Sequence, residues 1–204
     1  MRLGRNFGNW AAPAATTRSL AMLVTTMLVL AGCGASQSGG GAAPDYAKAL
    51  AGSPAPLAAL HRQANELLPG GVDAYEKRIA ALRGYPVVVN IWASWCGSCR
   101  FEFPTFQQVS AQYGKRVAFL GVDSQDSDDA AATFLKEEPV PYPSYADPGE
   151  EVAQSIDASR GLPATAFYDR DGKLVYSTYI PYESAAELRA DIERYALGGS
   201  DEGG

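Results

Sequence analysis

Residues 87–99 read Val87-Val88-Val89-Asn90-Ile91-Trp92-Ala93-Ser94-Trp95-Cys96-Gly97-Ser98-Cys99. The first six, four of them β-branched, form the short apolar run expected of a central strand buried on both faces. Two cysteines three apart follow where the pattern turns helical, and a helix is predicted from about Cys96 to Tyr113, interrupted by Pro104. Cysteines so spaced on a first helical turn come within disulfide distance. Cys96 lies at the helix N-terminus, where free N–H groups and the dipole stabilise a thiolate. Thiolate is the attacking species in disulfide exchange. Cys96 is therefore the candidate nucleophile, and Cys99, one turn in and shielded, the candidate resolving thiol. An inert staple has the same spacing, whereas half a zinc site lacks further soft ligands beyond His61.

Working outward, Val117 to Val122 reads as the next strand and Ser127 to Glu137 as a helix with acids in its first turn. Glu138 to Pro148 holds four prolines and reads as loop, with a short strand near Ser144 to Ala146 and a short helix over Glu150 to Ser155. Thr165 to Tyr168 and Leu174 to Thr178 flank Asp169-Arg170-Asp171-Gly172, a hairpin signature. A helix over Glu183 to Leu197 closes the domain, and residues 198–204 form a polar, glycine-rich tail. Upstream, helical spacing covers Pro56 to Leu68 and Asp73 to Leu82, within an N-terminal elaboration over residues 55–83. The order predicts an α/β sandwich, its sheet partly parallel and partly antiparallel, with helices on both faces.

Residues 1–32 carry Arg2, Arg5 and Arg18 and no acid, then an apolar run from Leu20 to Ala31. A basic head, a short apolar stretch and small residues before a cut make a secretory signal. Leu30-Ala31-Gly32-Cys33 resembles a bacterial lipobox, which implies cleavage before Cys33 and its lipidation. Residues 33–54 then act as a flexible tether to the membrane, with Gly34 to Pro44 rich in glycine, serine and alanine. A plain secretory peptide and a retained anchor helix are the alternatives. Loss of residues 1–32 leaves 14 basic and 23 acidic residues, a net charge of −9. So acidic a body disfavours nucleic acid and gains nothing from anionic lipid. With 47% hydrophobic and 20% charged residues among 204, the composition is globular, and three cysteines with one histidine exclude a multi-metal enzyme.

Asn90-Ile91-Trp92-Ala93-Ser94-Trp95-Cys96-Gly97-Ser98-Cys99-Arg100-Phe101-Glu102-Phe103-Pro104 resembles the TlpA/ResA group of membrane-attached thiol–disulfide oxidoreductases, and the likeness runs over residues 84–197 through Gly161-Leu162-Pro163-Ala164-Thr165 and Asp171-Gly172-Lys173. The resemblance implies a thioredoxin-like three-layer sandwich and a cis proline at Pro163 facing the cysteines. Leu162 would then pair through its backbone with an extended substrate segment, and Trp95 would shield the disulfide. It also implies a functional glutamate at Glu102. Glu102 stands three residues beyond Cys99, and Phe101, Phe103 and Phe106 are expected to surround it with apolar surface. A carboxyl buried there has its pKa raised and can exchange protons with Cys99; the alternative is a solvated helix acid paired with Arg100. The implied partners are protein disulfides or dithiols and a membrane thiol carrier that supplies electrons. The implied work is reductive, such as keeping apocytochrome c cysteines reduced. Neither a metal nor an organic cofactor is implied.

Three other readings use the same residues. An oxidant would run the exchange in reverse. A peroxiredoxin normally has threonine three residues before its cysteine, where this chain has Ala93. A binding module would keep the pair as a structural disulfide. Asn90 stands where general thioredoxins carry a buried aspartate; it takes up no proton, which leaves that task to Glu102 or water. Gly97-Ser98 separates the cysteines where thioredoxins have Gly-Pro. Ser98 adds an N–H and a hydroxyl beside the sulfurs, favouring thiolate and so a more oxidising couple. In a glutathione redox buffer the wild type is expected to show a higher reduction potential than Ser98→Pro; a lower one refutes the assignment.

Overall fold

The computed structural model describes residues 43–199. The leader, Cys33 and the rest of the tether up to residue 42 lie outside the described residues, as do the last five residues of the tail. The elements in chain order are α1 (Tyr46–Ala49), α2 (Ala55–His61), β1 (Leu67–Leu68), α3 (Gly71–Ala81), β2 (Val87–Trp92), α4 (Gly97–Tyr113), β3 (Ala118–Ser124) and α5 (Asp128–Glu137). They continue with β4 (Ser144–Asp147), α6 (Glu151–Ser155), β5 (Ala164–Tyr168), β6 (Leu174–Thr178) and α7 (Ala185–Asp191), which runs into a π-helical turn over Ile192–Ala196.

The strands form one sheet in the order β1-β4-β3-β2-β5-β6. The first four run parallel, and β5 and β6 are antiparallel to their neighbours. β2, buried at every residue, sits between β3 and β5. Strand alternation sends Val88 and Trp92 to one face, where they meet Phe103, Phe106 and Val109 of α4, Phe134 of α5 and Leu188 of α7. Val87, Val89 and Ile91 meet Leu57 and Leu60 of α2, Tyr75 and Ile79 of α3 and Val152 of α6 on the other. The result is the three-layer sandwich expected from the sequence. Gly121 on β3 marks the tightest contact: a Cβ there would fall 2.1 Å from Ser144 Oγ and 2.9 Å from the Trp92 indole nitrogen.

One stretch differs from the sequence reading. Helical spacing over Pro56 to Leu68 ends instead at His61, and Leu67–Leu68 joins the sheet in parallel register with Ser144 and Tyr145. Asn65 takes a left-handed φ of 61° and donates its N–H to the Tyr142 carbonyl, which turns the chain out of the helix. A short apolar run cannot distinguish the two periods. α4 carries Pro104 within it, as the sequence reading has it. Pro104 is exposed, so water can solvate the carbonyl that its missing N–H leaves free.

Residues 55–83 thus supply a strand of the common sheet and much of one helical layer. Leu60→Ala is expected to cost about 2–5 kcal/mol in urea unfolding, the range for truncating a buried leucine. A loss well under 1 kcal/mol would mean the segment packs as a dispensable appendage.

Candidate redox site

β2 delivers Ala93 to Trp95 to the C-terminal edge of the sheet, and the chain turns there into α4. Cys96 is the N-cap of that helix, and its Sγ accepts the Cys99 N–H at 3.1 Å. The two sulfurs are bonded at 2.02 Å, with Cα atoms 5.2 Å apart. Cys96 keeps 6% of its surface exposed and Cys99 none. An attacking thiolate from solvent therefore has access to the first sulfur and not the second. Gly97 and Ser98 are exposed on the same first turn.

Three neighbours hold this edge. The Leu162–Pro163 peptide is cis. Ile91 pairs with Ala164 in the antiparallel β2–β5 register, which puts Pro163 and Leu162 alongside Trp92 and Ala93, next to the turn. Leu162 is partly buried and packs against both faces of the core. Trp95 is 58% exposed, its indole N–H donating to the Gln125 carbonyl at 2.9 Å. Asp126 accepts the Ser94 N–H at 2.6 Å and the Ser127 N–H at 2.8 Å. The sequence alone presented Asp126 only as a solvated helix start; its grip on the loop before Cys96 comes from β3 and β2 being neighbours. Behind it, buried Asp123 is pushed up to about 8, first by burial and then by the neighbouring Asp126.

Glu102 is fully buried one turn beyond Cys99. Its Oε2 accepts the Tyr182 N–H at 3.1 Å, and its Oε1 has no partner within the protein. Burial raises its pKa to about 8, against the smaller opposing effect of the Tyr182 hydrogen bond. The apolar surroundings expected from three phenylalanines come from two: Phe103 and Phe106 are buried, but Phe101 is 62% exposed. Positions 102, 103 and 106 face the sheet, which turns 101 toward solvent. Arg100 does not neutralise Glu102; it lies over the Phe134 ring and reaches Glu137 at 3.7 Å on the surface. Tyr182, which the sequence reading groups with Tyr176 and Tyr179 as strand-edge packing or a partner surface, covers this site through its N–H, and its hydroxyl donates to Asp191 at 2.7 Å. Tyr176 stacks on Tyr195, their centroids 4.0 Å apart, so these tyrosines serve packing. His61 lies against Gly114 at the far end of α4, roughly 20 Å along the helix from the cysteines.

The buried acid has a consequence for stability. The folded chain keeps the Glu102 proton up to about pH 8, whereas the unfolded chain releases it near the ordinary glutamate value. Its contribution is complete below that ordinary value and is lost as pH rises through the folded one, at up to about 1.4 kcal/mol per pH unit. Glu102→Gln is expected to flatten the decline of unfolding free energy between pH 5 and 8 by about one proton's slope. Parallel wild-type and variant profiles would contradict a buried, neutral Glu102.

Comparison with known proteins fits this geometry. The chain is 28% identical over 94 residues to the thiol-disulfide oxidoreductase ResA of Bacillus thuringiensis subsp. konkukian, covering 46% of this chain and 54% of the relative. It is 34% identical over 128 residues to the thiol:disulfide interchange protein DsbE of Escherichia coli K12, covering 63% and 64%. The chain thus spans about half to two-thirds of the length of these curated relatives. The solved structure of MTB dsbF, in mixed oxidized and reduced forms, superposes with a TM-score of 0.51 at 30% identity, over 56% of this chain and 83% of that one. A family model described as Redoxin matches residues 50–192, well over half of the sequence, and the chain belongs to the Redoxin family.

Proposed function

We propose that the protein is an extracytoplasmic thiol–disulfide oxidoreductase, held to the membrane through lipid on Cys33, that reduces disulfides in protein clients. The observation that carries this reading is the position of Cys96 as the cap of the helix N-terminus with a small residual exposure, Cys99 fully sealed behind it and a buried acid one turn further on. Likeness to ResA and DsbE, named for thiol-disulfide oxidoreduction and interchange, supports the same chemistry.

In the reduced protein the Cys96 thiolate attacks one client sulfur. The client disulfide breaks, a mixed disulfide forms, and the expelled client thiolate takes a proton from solvent. Cys99 then gives its proton to the Glu102 carboxylate and attacks Cys96 Sγ. The mixed disulfide breaks, the second client thiolate leaves, and the Cys96–Cys99 bond forms. Two electrons have passed from the pair to the client. Regeneration reverses the roles: a thiolate of a membrane thiol carrier attacks Cys96, and Cys99 leaves with the proton of neutral Glu102. A group with a pKa near 8 suits both directions near neutral pH. Leu162, ahead of the cis proline, offers its backbone to an extended client segment, and Trp95 shields the sulfurs from one side. Reduction of apocytochrome c haem-site cysteines is the client chemistry that the ResA likeness favours.

The Cys99→Ser variant is expected to accumulate mixed disulfides with its clients when expressed in cells, and those clients are identifiable by mass spectrometry. Insulin reduction with a dithiol donor should be lost in Cys96→Ser; activity that survives this substitution would overturn the assignment and favour a binding module.

A further inference from the structure

Four polar atoms without a hydrogen-bond partner in the protein belong to three buried residues on the α4 face of the sheet: Nδ2 and Oδ1 of Asn90, Oε1 of Glu102 and the hydroxyl of Tyr142. An unpaired buried polar group costs about 1–3 kcal/mol, so such atoms in one layer mark a set completed by internal water. Tyr142 faces the Asn90 side chain and lies within electrostatic reach of Glu102. Because Glu102 Oε2 accepts the Tyr182 N–H, its acid proton belongs on Oε1.

Tyr142 stands in the proline-rich connection between α5 and β4, which the N-terminal segment pins at several points. The Tyr46 hydroxyl donates to the Pro139 carbonyl at 2.9 Å. Asn65 Oδ1 accepts the Val140 N–H at 2.7 Å, and the Asn65 N–H donates to the Tyr142 carbonyl at 3.1 Å. The Tyr142 ring stacks on Phe119 with centroids 5.9 Å apart. So short a connection, tied on both sides, leaves the hydroxyl one place to go.

We propose that Tyr142 is a positioning residue for Glu102: with the Asn90 amide and internal water, its hydroxyl organises the hydrogen bonds that hold the proton on Glu102 Oε1 and receive the charge when that proton leaves. The inference rests on the reading of Glu102 as the proton carrier for Cys99. Among the described residues, the groups that bear on Glu102 are Cys99 one turn before it on its own helix, Tyr182 with Asp191 on the α7 side, and Tyr142, which faces uncharged Asn90 of β2 and is backed by Tyr46 and Glu138. No cation is among them. The Tyr142 hydroxyl and the Asn90 amide are therefore, with the Tyr182 N–H, the donors available to a Glu102 carboxylate. Removal of one leaves the carboxylate less supported and raises its proton affinity.

The test is a carbon-13 NMR titration of the Glu102 carboxyl in the full chain with the Cys96–Cys99 bond formed, the signal assigned by its loss in Glu102→Gln. Tyr142→Phe keeps the ring and removes the hydroxyl. It is expected to raise the midpoint by roughly half a pH unit or more, a threefold change in proton affinity. Asn90→Leu, apolar and similar in size, is expected to shift it the same way and supplies a second reading should the first variant fold poorly. Phe119→Leu loosens the ring stack but spares the hydroxyl, and should leave the midpoint in place. An unmoved or lowered midpoint in Tyr142→Phe, or an equal shift in Phe119→Leu, overturns the proposal. Alkylation of Cys99 in the reduced protein separates the two readings. If Tyr142→Phe moves the carboxyl but not the thiol profile, positioning stands and proton transfer by Glu102 fails. If Glu102→Gln abolishes the thiol's pH step while Tyr142→Phe leaves the carboxyl unmoved, positioning fails alone.

Discussion

The passage from β2 into α4 constrains everything else in this molecule. A strand buried on both faces must end at the sheet's C-terminal edge, and a helix that starts there presents its unsatisfied N–H groups at that edge. Cys96 occupies the cap itself, so its sulfur receives the Cys99 N–H and the favourable end of the dipole. Parallel β3 brings Asp126 to the same edge, and antiparallel β5 brings the cis Leu162–Pro163 peptide to it from the other side. The convergence is topological: strands on either side of β2 can only contribute from the ends that lie beside its C-terminus.

Both buried carboxyls near this edge are pushed up to about 8, but their settings differ. Asp123 is raised first by burial and then by neighbouring Asp126, the group that holds the loop. Glu102 is raised by burial alone, relieved only by one backbone N–H. Among the described residues no arginine or lysine forms an ion pair with it; Arg100, two residues away, points outward to Glu137. A carboxyl with a single fixed donor and no cation changes protonation readily when the adjacent sulfur changes charge, which suits the step assigned to it.

The strand, the CxxC pair and the hairpin were legible because each rests on local chemistry: β-branched runs, a fixed spacing and Asp-Gly turns; the cis proline was legible only through the family resemblance. Glu102 was legible as buried because its helical phase places it with Phe103 and Phe106, although Phe101, one position away, faces out. Asp126, Tyr182 and Tyr142 were not legible as parts of the site. Each reaches it across a long sequence separation, set by strand order rather than by spacing: Ser94 to Asp126, Glu102 to Tyr182, Asn90 to Tyr142. Leu67–Leu68 failed for a related reason. Two apolar residues carry no period, and their strand exists only because β4 offers an edge to pair with.

That pairing gives the N-terminal segment a chemical role as well as a packing one. β1 covers the outer edge of β4, which would otherwise present unpaired backbone groups. Asn65, just ahead of β1, grips the connection that leads into β4 at Val140 and Tyr142, and Tyr46 grips it at Pro139. A proline-rich connection makes few hydrogen bonds of its own, because three of its residues lack an N–H. Its conformation must be imposed from outside, and the segment ahead of β2 imposes it. The polar set behind Cys99 is therefore built from both ends of the fold: Glu102 and Asn90 from the motif-bearing centre, and Tyr142 from a loop that owes its position to residues 46–68.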